Sequence, residues 1–212
     1  MATIKANTLR PKAEGQGATA WGNKQSYKVK FVHEPTGHTV EFPALIDNFK
    51  DTHSPDLTNT YGGNEHDPYA TLTKTTRNIS FDLTVLSTSL TEARHNTQCV
   101  NLLIQMMYPT LNDDATFKSK PYINIRLMNL LQGVRTAQGI TQGISCCVGS
   151  LSYGINFEEG VITGITQRNG RTIQREVYPV SLKLSIQAKT IIPASRSSQS
   201  PFPRNFPSYG GR

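Results

Sequence analysis

The residues that could do chemistry are scattered along this chain. The three cysteines are Cys99, Cys146 and Cys147, and no Cys-x-x-Cys pair occurs. The histidines lie in separate segments without metal-ligand spacing: His33, His38, His53, His66 and His95. An odd number of cysteines without regular spacing argues against a disulfide framework or a zinc site. We therefore predict free, buried or half-buried thiols, and neither a bound metal nor a cofactor.

No catalytic nucleophile, acid–base pair or phosphate-binding loop is recognisable either. Residues 149–154, Gly-Ser-Leu-Ser-Tyr-Gly, have the wrong spacing for a Gly-x-Ser-x-Gly elbow. Asp113-Asp114 and Glu158-Glu159 are adjacent residues beside turns, so their side chains diverge. His66-Asp67 lies in a Gly- and Asn-rich stretch, where no burial is evident that would tune a proton-transfer couple. The sequence predicts a protein without an active site.

The middle of the chain is predicted to form a strand, a helix and a second strand. The first strand alternates apolar and polar residues, with Ile79, Phe81, Leu83 and Val85 on one face. Ser89 and Glu92 then have the spacing of a capping box, in which each side chain satisfies the other residue's amide. A helix over about 90–107 is predicted to bury one stripe: Ala93, Thr97, Val100, Leu103, Ile104 and Met107.

The remainder of the chain is β-rich. Residues 27–32 and 39–46 predict a hairpin around the Pro-Thr-Gly turn, and residues 122–127 and 178–187 alternate as strands. The polar stretch 50–69 is interpreted as a long loop. The stretch 144–153 contains several apolar residues and is broken by Gly149. Residues 155–166 predict another hairpin that turns at Glu-Glu-Gly, and Asn169-Gly170 predicts a tight turn. The predicted fold class is mainly β (α+β) with one helix.

The charge is concentrated at the two ends of the chain. The net charge is +7, with +5 in residues 1–30, +3 in 194–212 and −1 in between. We predict an extended arm over 1–25, one β domain over 26–192, and a Pro/Ser-rich tail over 193–212. Basic ends suit an anionic partner surface, and the alternative is that they only keep the chain soluble. No apolar run is long enough to predict a membrane anchor.

The middle of the chain resembles a known family. The similarity lies in residues 40–46, 54–55, 61–62, 67–69, 74–81, 92–96, 107–109 and 121–130. In this order these segments resemble the baseplate hub and tube-initiator proteins of contractile-tailed bacteriophages, which are relatives of the tail tube subunit. Gly63 stands where the family carries an arginine, and three residues then precede Asp67-Pro68 instead of a short step.

The resemblance implies a structural virion protein and not an enzyme. It implies a tail-tube-like β-sandwich or barrel with one flanking helix, and six copies closing a ring whose neighbours join into a continuous inner barrel. The partners would be further copies, the tail tube protein and other baseplate proteins. DNA would pass through the lumen without specific binding, and assembly would take place in the host cytoplasm. The predicted assembly contacts are Trp21, Tyr61, Asp67, Arg77, Arg196, Arg204 and Arg212.

Other readings of the sequence stay open. The protein could be the tail tube subunit itself or a tail-completion ring. It could instead be a nucleic-acid-binding β-barrel that uses its basic ends, where Trp21, Phe202, Phe206 and Tyr209 lie among lysines and arginines. A cell-wall hydrolase or lectin-like module of a tail is the third alternative, and the absence of a catalytic constellation disfavours it.

Overall fold

The computed structural model describes most of the predicted β domain and one short segment before it. The described residues are 8–9, 28–43, 45–60, 69–111, 117–128, 130–131, 143–168 and 171–191. They form ten strands and one helix, which in chain order are β1 Thr8–Leu9, β2 Lys28–His33, β3 Thr39–Pro43, β4 Leu45–Thr60, β5 Tyr69–Leu86, α1 Leu90–Met106, β6 Thr110–Leu111, β7 Phe117–Ser119, β8 Tyr122–Leu127, β9 Ile144–Arg168 and β10 Arg171–Thr190.

One large sheet dominates the fold. Its strand order is β1-β3-β2-β8-β9-β10-β5-β4, and every neighbouring pair is antiparallel except β1 with β3. Strands make up 73% of the described residues, which confirms the mainly β class with one helix. The sheet does not close into a barrel, so that expectation is wrong for the single chain. Strands β3 and β4 are joined through residue 44, yet β3 pairs with β2 and β1 and β4 pairs with β5.

The alternating patterns predicted the core face of the sheet correctly. Strands β2, β3, β5, β8 and β10 each bury alternate apolar residues. The largest buried side chains include Phe31, Phe42, Ile79, Phe81, Leu83, Ile123, Ile125, Leu127, Leu184 and Ile186. Helix α1 packs across this face against β3, β9 and β10. The predicted hairpin of β2 and β3 is confirmed by their antiparallel register.

Helix α1 begins where the capping box predicts. In one part of the hydrogen-bond network Thr88 takes the place predicted for Ser89. The Glu92 amide donates to Ser89 Oγ at 3.2 Å. The Glu92 carboxylate accepts from the amide and the hydroxyl of Thr88, at 2.9 and 2.6 Å. The carboxylate accepts two hydrogen bonds at the positive end of the helix dipole, and both effects stabilise the N-terminus of the helix.

The buried face of α1 is rotated from the predicted stripe. The structure buries Ala93, Asn96, Cys99, Val100, Leu102, Leu103 and Met106. Ile104 and Met107 are only partly buried at the margin of the core. Asn96 occupies the core face because its amide donates to Ser87 Oγ at 2.9 Å. A polar residue therefore lies on the buried face of α1. A pattern of apolar residues alone could not predict this position.

Two predictions of loops and turns are wrong. The polar residues 50–60, interpreted as a loop, belong to β4 and pair with β5 through Thr60↔Tyr69, while residues 61–68 lie outside the described part. No hairpin turns at residues 158–160, because β9 runs through them as one strand of 25 residues. The tight turn predicted at 169–170 lies outside the described residues, and the flanking Arg168 and Arg171 are cross-strand partners.

Candidate assembly surface

Two long strand edges have no partner strand among the described residues. Strand β4 is the last strand of the sheet and pairs only with β5. Strand β9 pairs with β8 only through Ile144 to Cys147, while its pairing with β10 continues to Arg168. Beyond Cys147 one edge of β9 therefore has no neighbouring strand within the described ranges of the chain. Such edges present rows of backbone donors and acceptors that template pairing with another chain.

The core face becomes exposed where β9 loses its β8 neighbour. Leu83, Leu184 and Tyr153 are successive cross-strand partners on β5, β10 and β9, so their side chains share one face. Leu83 and Leu184 are buried, while Tyr153 is 54% exposed. Ile155, opposite the buried Leu182, is also exposed. The apolar core face thus continues onto the β9 edge, where the described part of the chain does not cover it.

Two ribbons of only two strands extend from opposite ends of the sheet. The pairing of β10 with β5 runs from Ser181↔Leu86 to Lys189↔Asn78. Strands β4 and β5 continue beyond the Asn78 end, and β9 and β10 continue beyond the Leu86 end. The β4–β5 ribbon has eight residues of β4 and nine of β5, and the β9–β10 ribbon has twelve residues of β9 and ten of β10. At the rise of a strand the two ribbons are roughly 25–35 Å long. Isolated two-stranded hairpins are marginal in water, so both ribbons are suited to contacts with other molecules.

The β4–β5 ribbon has exposed apolar residues as well as polar ones. Leu57 and Leu72 are directly paired across the two strands and are 56% and 58% exposed. Beside them the Thr58 and Thr73 hydroxyls are 2.9 Å apart, and Lys74 contacts Asp56 at 3.4 Å on the surface. The leucine pair therefore forms an apolar spot on an otherwise polar ribbon.

A wide bulge and a helix contact position the β9–β10 ribbon. Between Asn156↔Ser181 and Val161↔Pro179, β9 has four residues where β10 has only Val180. Gly160, the last of the four, has φ +102°, a conformation that favours glycine. Beyond the bulge Arg94 of α1 donates to Glu176 at 2.7 Å, and Tyr178 donates to the same carboxylate at 3.1 Å.

Helix α1 approaches β9 closely at position 164. The Leu90 side chain lies against Gly164, where a Cβ would overlap it. The ribbon is therefore held against the first turns of the helix by an apolar contact and an ion pair. The four residues of β9 beyond Gly164 extend past this contact.

Arg77 is the one predicted contact residue inside the described part of the chain, and it is buried. Its guanidinium binds Asp51 in a fork, with Nε–Oδ1 at 2.9 Å and Nη2–Oδ2 at 2.6 Å. The two side chains are only 5% and 8% exposed. Its position ties β5 to β4 within one chain and leaves little of its surface for a neighbour. The other predicted contacts lie outside the described residues: Trp21, Tyr61, Asp67, Arg196, Arg204 and Arg212.

The one Cys–His contact in the described part does not suit nucleophilic chemistry. Cys99 Sγ lies 3.4 Å from His95 Nε2, one helical turn away. Burial raises the pKa of Cys99 to about 12, so the group is a thiol at neutral pH, and the reactive thiolate is suppressed. Burial also raises the pKa of Cys146 to about 12, whereas Cys147 is exposed, unlike the buried thiol predicted.

No metal-binding cluster is present within the described ranges, where no three His, Cys, Asp or Glu side chains lie together. The same residues include no helix long and apolar enough to cross a membrane. No family model and no curated protein matches this sequence at a significant level.

His33 is a buried titratable group in the turn region of β2 and β3. Its Nδ1 contacts Thr36 Oγ1 at 2.7 Å, and its Nε2 is buried with no partner in the described residues. Burial lowers the pKa of His33 below its usual value of 6.5; the nearby His38 adds to this effect and Glu34 opposes it. The folded state therefore binds a proton at His33 less readily than the unfolded chain does.

We expect the protein to lose stability as the pH falls below about 6.5, the unfolded pKa of a histidine. A lowered pKa in the folded state contributes stability above the unfolded pKa, and this contribution is lost as the pH falls through the folded value. Urea unfolding at about pH 7.5 and pH 5 measures the effect. His33→Asn should show a smaller loss of stability than the wild type. Equal losses in the two proteins would contradict the role of His33.

Proposed function

We propose that this protein is a structural subunit of a contractile phage tail, forming a ring in the baseplate or hub that connects to or initiates the tail tube. The observation that carries the proposal is the pair of free strand edges on β4 and β9, next to uncovered apolar side chains on the core face. The similarity of residues 39–131 to baseplate hub and tube-initiator proteins supports the same function.

The two edges suit a ring better than a symmetric dimer. A rotationally closed ring needs two different, complementary surfaces on each subunit. Strand β4 and the distal part of β9 are two such surfaces, since they lie on different strands and have different side chains. Pairing β4 of one copy with β9 of the next would satisfy both rows of backbone groups and cover Tyr153 and Ile155. Ring closure would also remove the edges that the open sheet leaves, as in a closed barrel.

The proposed ring has six subunits, and its position in the tail has alternatives. A tail tube subunit and a tail-completion ring would use the same edges, because both also assemble as closed rings. The proposed partners are further copies, the tail tube protein and other baseplate proteins. The protein acts by assembly, offering one face of the ring as a template, and has no turnover.

Electron microscopy of the purified protein, and of the particles that contain it, tests the proposal. We expect sixfold rings with an open lumen, located at one end of a tube in the particles. Their axial position then separates a baseplate ring from a tail tube or tail-completion ring. Particles whose tails lack the protein would refute the proposal.

Charges on the core face of the free β9 edge should prevent ring formation without unfolding the subunit. Tyr153→Lys with Ile155→Lys places two cations on the exposed apolar patch, a common way in which natural edges block pairing. We expect rings to be lost and the melting temperature to change by only a few degrees, roughly the effect of 1 kcal/mol or less. Negative-stain images and thermal unfolding are the two measurements.

The matched control for that variant is Ser152→Lys with Gly154→Lys. These exposed residues lie on the same strand but alternate onto the opposite face, so the added charge is the same. Rings should persist in the control if the core face is the covered one. Loss of rings in both variants would show that charge alone, and not the patch, decides assembly.

A further inference from the structure

The distal ribbon, residues 161–165 of β9 and 175–178 of β10, contains no buried residue. The residues that alternate onto the face beside α1 are only half-buried: Ile162, Gly164, Glu176 and Tyr178. The residues between them are exposed. Segments with few buried apolar contacts are the ones that open locally at a low free energy. The distal ribbon therefore has the burial pattern of a segment that opens separately from the core.

A break in the ladder separates the distal ribbon from the sheet. Residues 157–160 of β9 lie opposite Val180 alone. Gly160, the last of the four, has φ +102°, a conformation that glycine adopts without strain. Pairing of β10 with β5 ends at Ser181↔Leu86, and no third strand flanks the distal ribbon within the described ranges. Because bulged strands bend, this bulge is the point at which the distal ribbon can pivot.

Two contacts with α1 hold the distal ribbon in place. The Leu90 side chain lies against Gly164. Arg94 Nε donates to Glu176 Oε2 at 2.7 Å, and the two side chains are 38% and 17% exposed. An ion pair that is partly open to solvent is weak and is screened by salt. The apolar contact and the ion pair together form a latch that salt can loosen.

We propose that the distal ribbon is hinged: it pivots at the bulge 157–160 and is latched on α1 by Leu90 and by the Arg94–Glu176 pair. Opening breaks the latch but no core packing, because the apolar core residues of β9 and β10 lie on the sheet side of the bulge: Ile144, Cys146, Leu182, Leu184, Ile186 and Ala188. Opening also uncovers the face of the distal ribbon that lies beside α1. The hinge belongs to a single subunit and does not depend on the ring proposed above.

Hydrogen exchange of the full-length protein, followed by mass spectrometry at about 0.05 M and about 1 M NaCl, tests the hinge. In the wild type, amides of the distal ribbon should exchange before those of the buried segment 79–85, and faster at high salt. Arg94→Gln removes the ion pair and should accelerate exchange of the distal ribbon at low salt by roughly twofold to fivefold. The salt response should disappear in this variant, because no charge pair is left to screen.

A core variant separates local opening from unfolding of the whole domain. Ile186 is 1% exposed, so Ile186→Val leaves a small cavity and should accelerate exchange of segment 79–85 by roughly twofold to tenfold. The distal ribbon should keep its wild-type rate in this variant, because its opening does not unpack Ile186. Equal acceleration of both segments by Ile186→Val would overturn the proposal, since the distal ribbon would then open only with the core.

The charge control is Lys74→Gln, which removes the cation of the exposed Lys74–Asp56 pair on the β4–β5 ribbon. It changes the net charge as Arg94→Gln does and should leave exchange of the distal ribbon at the wild-type rate. Similar acceleration of the distal ribbon by Lys74→Gln and Arg94→Gln would contradict the latch, because net charge would then explain the effect. Unchanged exchange of the distal ribbon in both Arg94→Gln and Leu90→Ala would show that α1 does not hold it.

Discussion

Replacing Leu103 by aspartate is expected to abolish folding of the domain. Leu103 is 2% exposed in the face of α1 that packs on the sheet. The substitution removes apolar packing and places an unpaired carboxylate in the core, which together cost about 5 kcal/mol or more. Natural domains have only about 5–15 kcal/mol of total stability, so little folded protein should remain. Circular dichroism during urea unfolding measures the result.

The neighbouring residues of the same turn provide graded controls. Gln105 is exposed, so Gln105→Asp adds the same charge at the same end of the helix and should cost only a few tenths of a kcal/mol. Ile104 is partly buried, so Ile104→Asp should fall between the two, at about 1–2 kcal/mol. The predicted stripe placed Ile104 in the core. If Ile104→Asp proved more damaging than Leu103→Asp, the helix face described by the structure would be wrong.

Removing the arginine of the buried ion pair should have the second-largest effect. Arg77→Met leaves the Asp51 carboxylate, which is 8% exposed, without its forked partner. Loss of one member of a buried pair costs about 3–5 kcal/mol, because the remaining charge is desolvated. The His53 imidazole, 3.4 Å from Asp51, remains beside the carboxylate. Replacing both, as Arg77→Met with Asp51→Leu, should recover much of the loss. Urea unfolding of the three proteins gives the coupling between the two positions.

The surface pair of the same ribbon is the control for this experiment. Lys74 and Asp56 are 3.4 Å apart with side chains 65% and 56% exposed, so Lys74→Met should cost less than about 1 kcal/mol. A comparable cost for Arg77→Met would show that the buried pair is not a significant stabiliser. The result also separates an internal role of Arg77 from the assembly contact that the sequence suggested.

Local sequence patterns were sufficient to predict the elements that have one buried face and one exposed face. The alternation in β2, β5, β8 and β10 predicted their core faces, because a half-buried strand has a period of two. The cap at Ser89 predicted the start of α1, since it depends on residues within one turn. The mainly β class with one helix followed from these signals.

Only tertiary structure decided the features that concern function. The distal part of β4 has no buried face, so its polar sequence was interpreted as a loop although it pairs along β5. Strand β9 continues through Glu158, Glu159 and Gly160 because pairing with β10 resumes at Val161. The rotation of α1 depends on what packs against it, and the Arg77–Asp51 pair joins residues 26 apart in the chain. Free edges, ribbons and buried pairs arise from contacts between distant residues, which a local pattern does not encode.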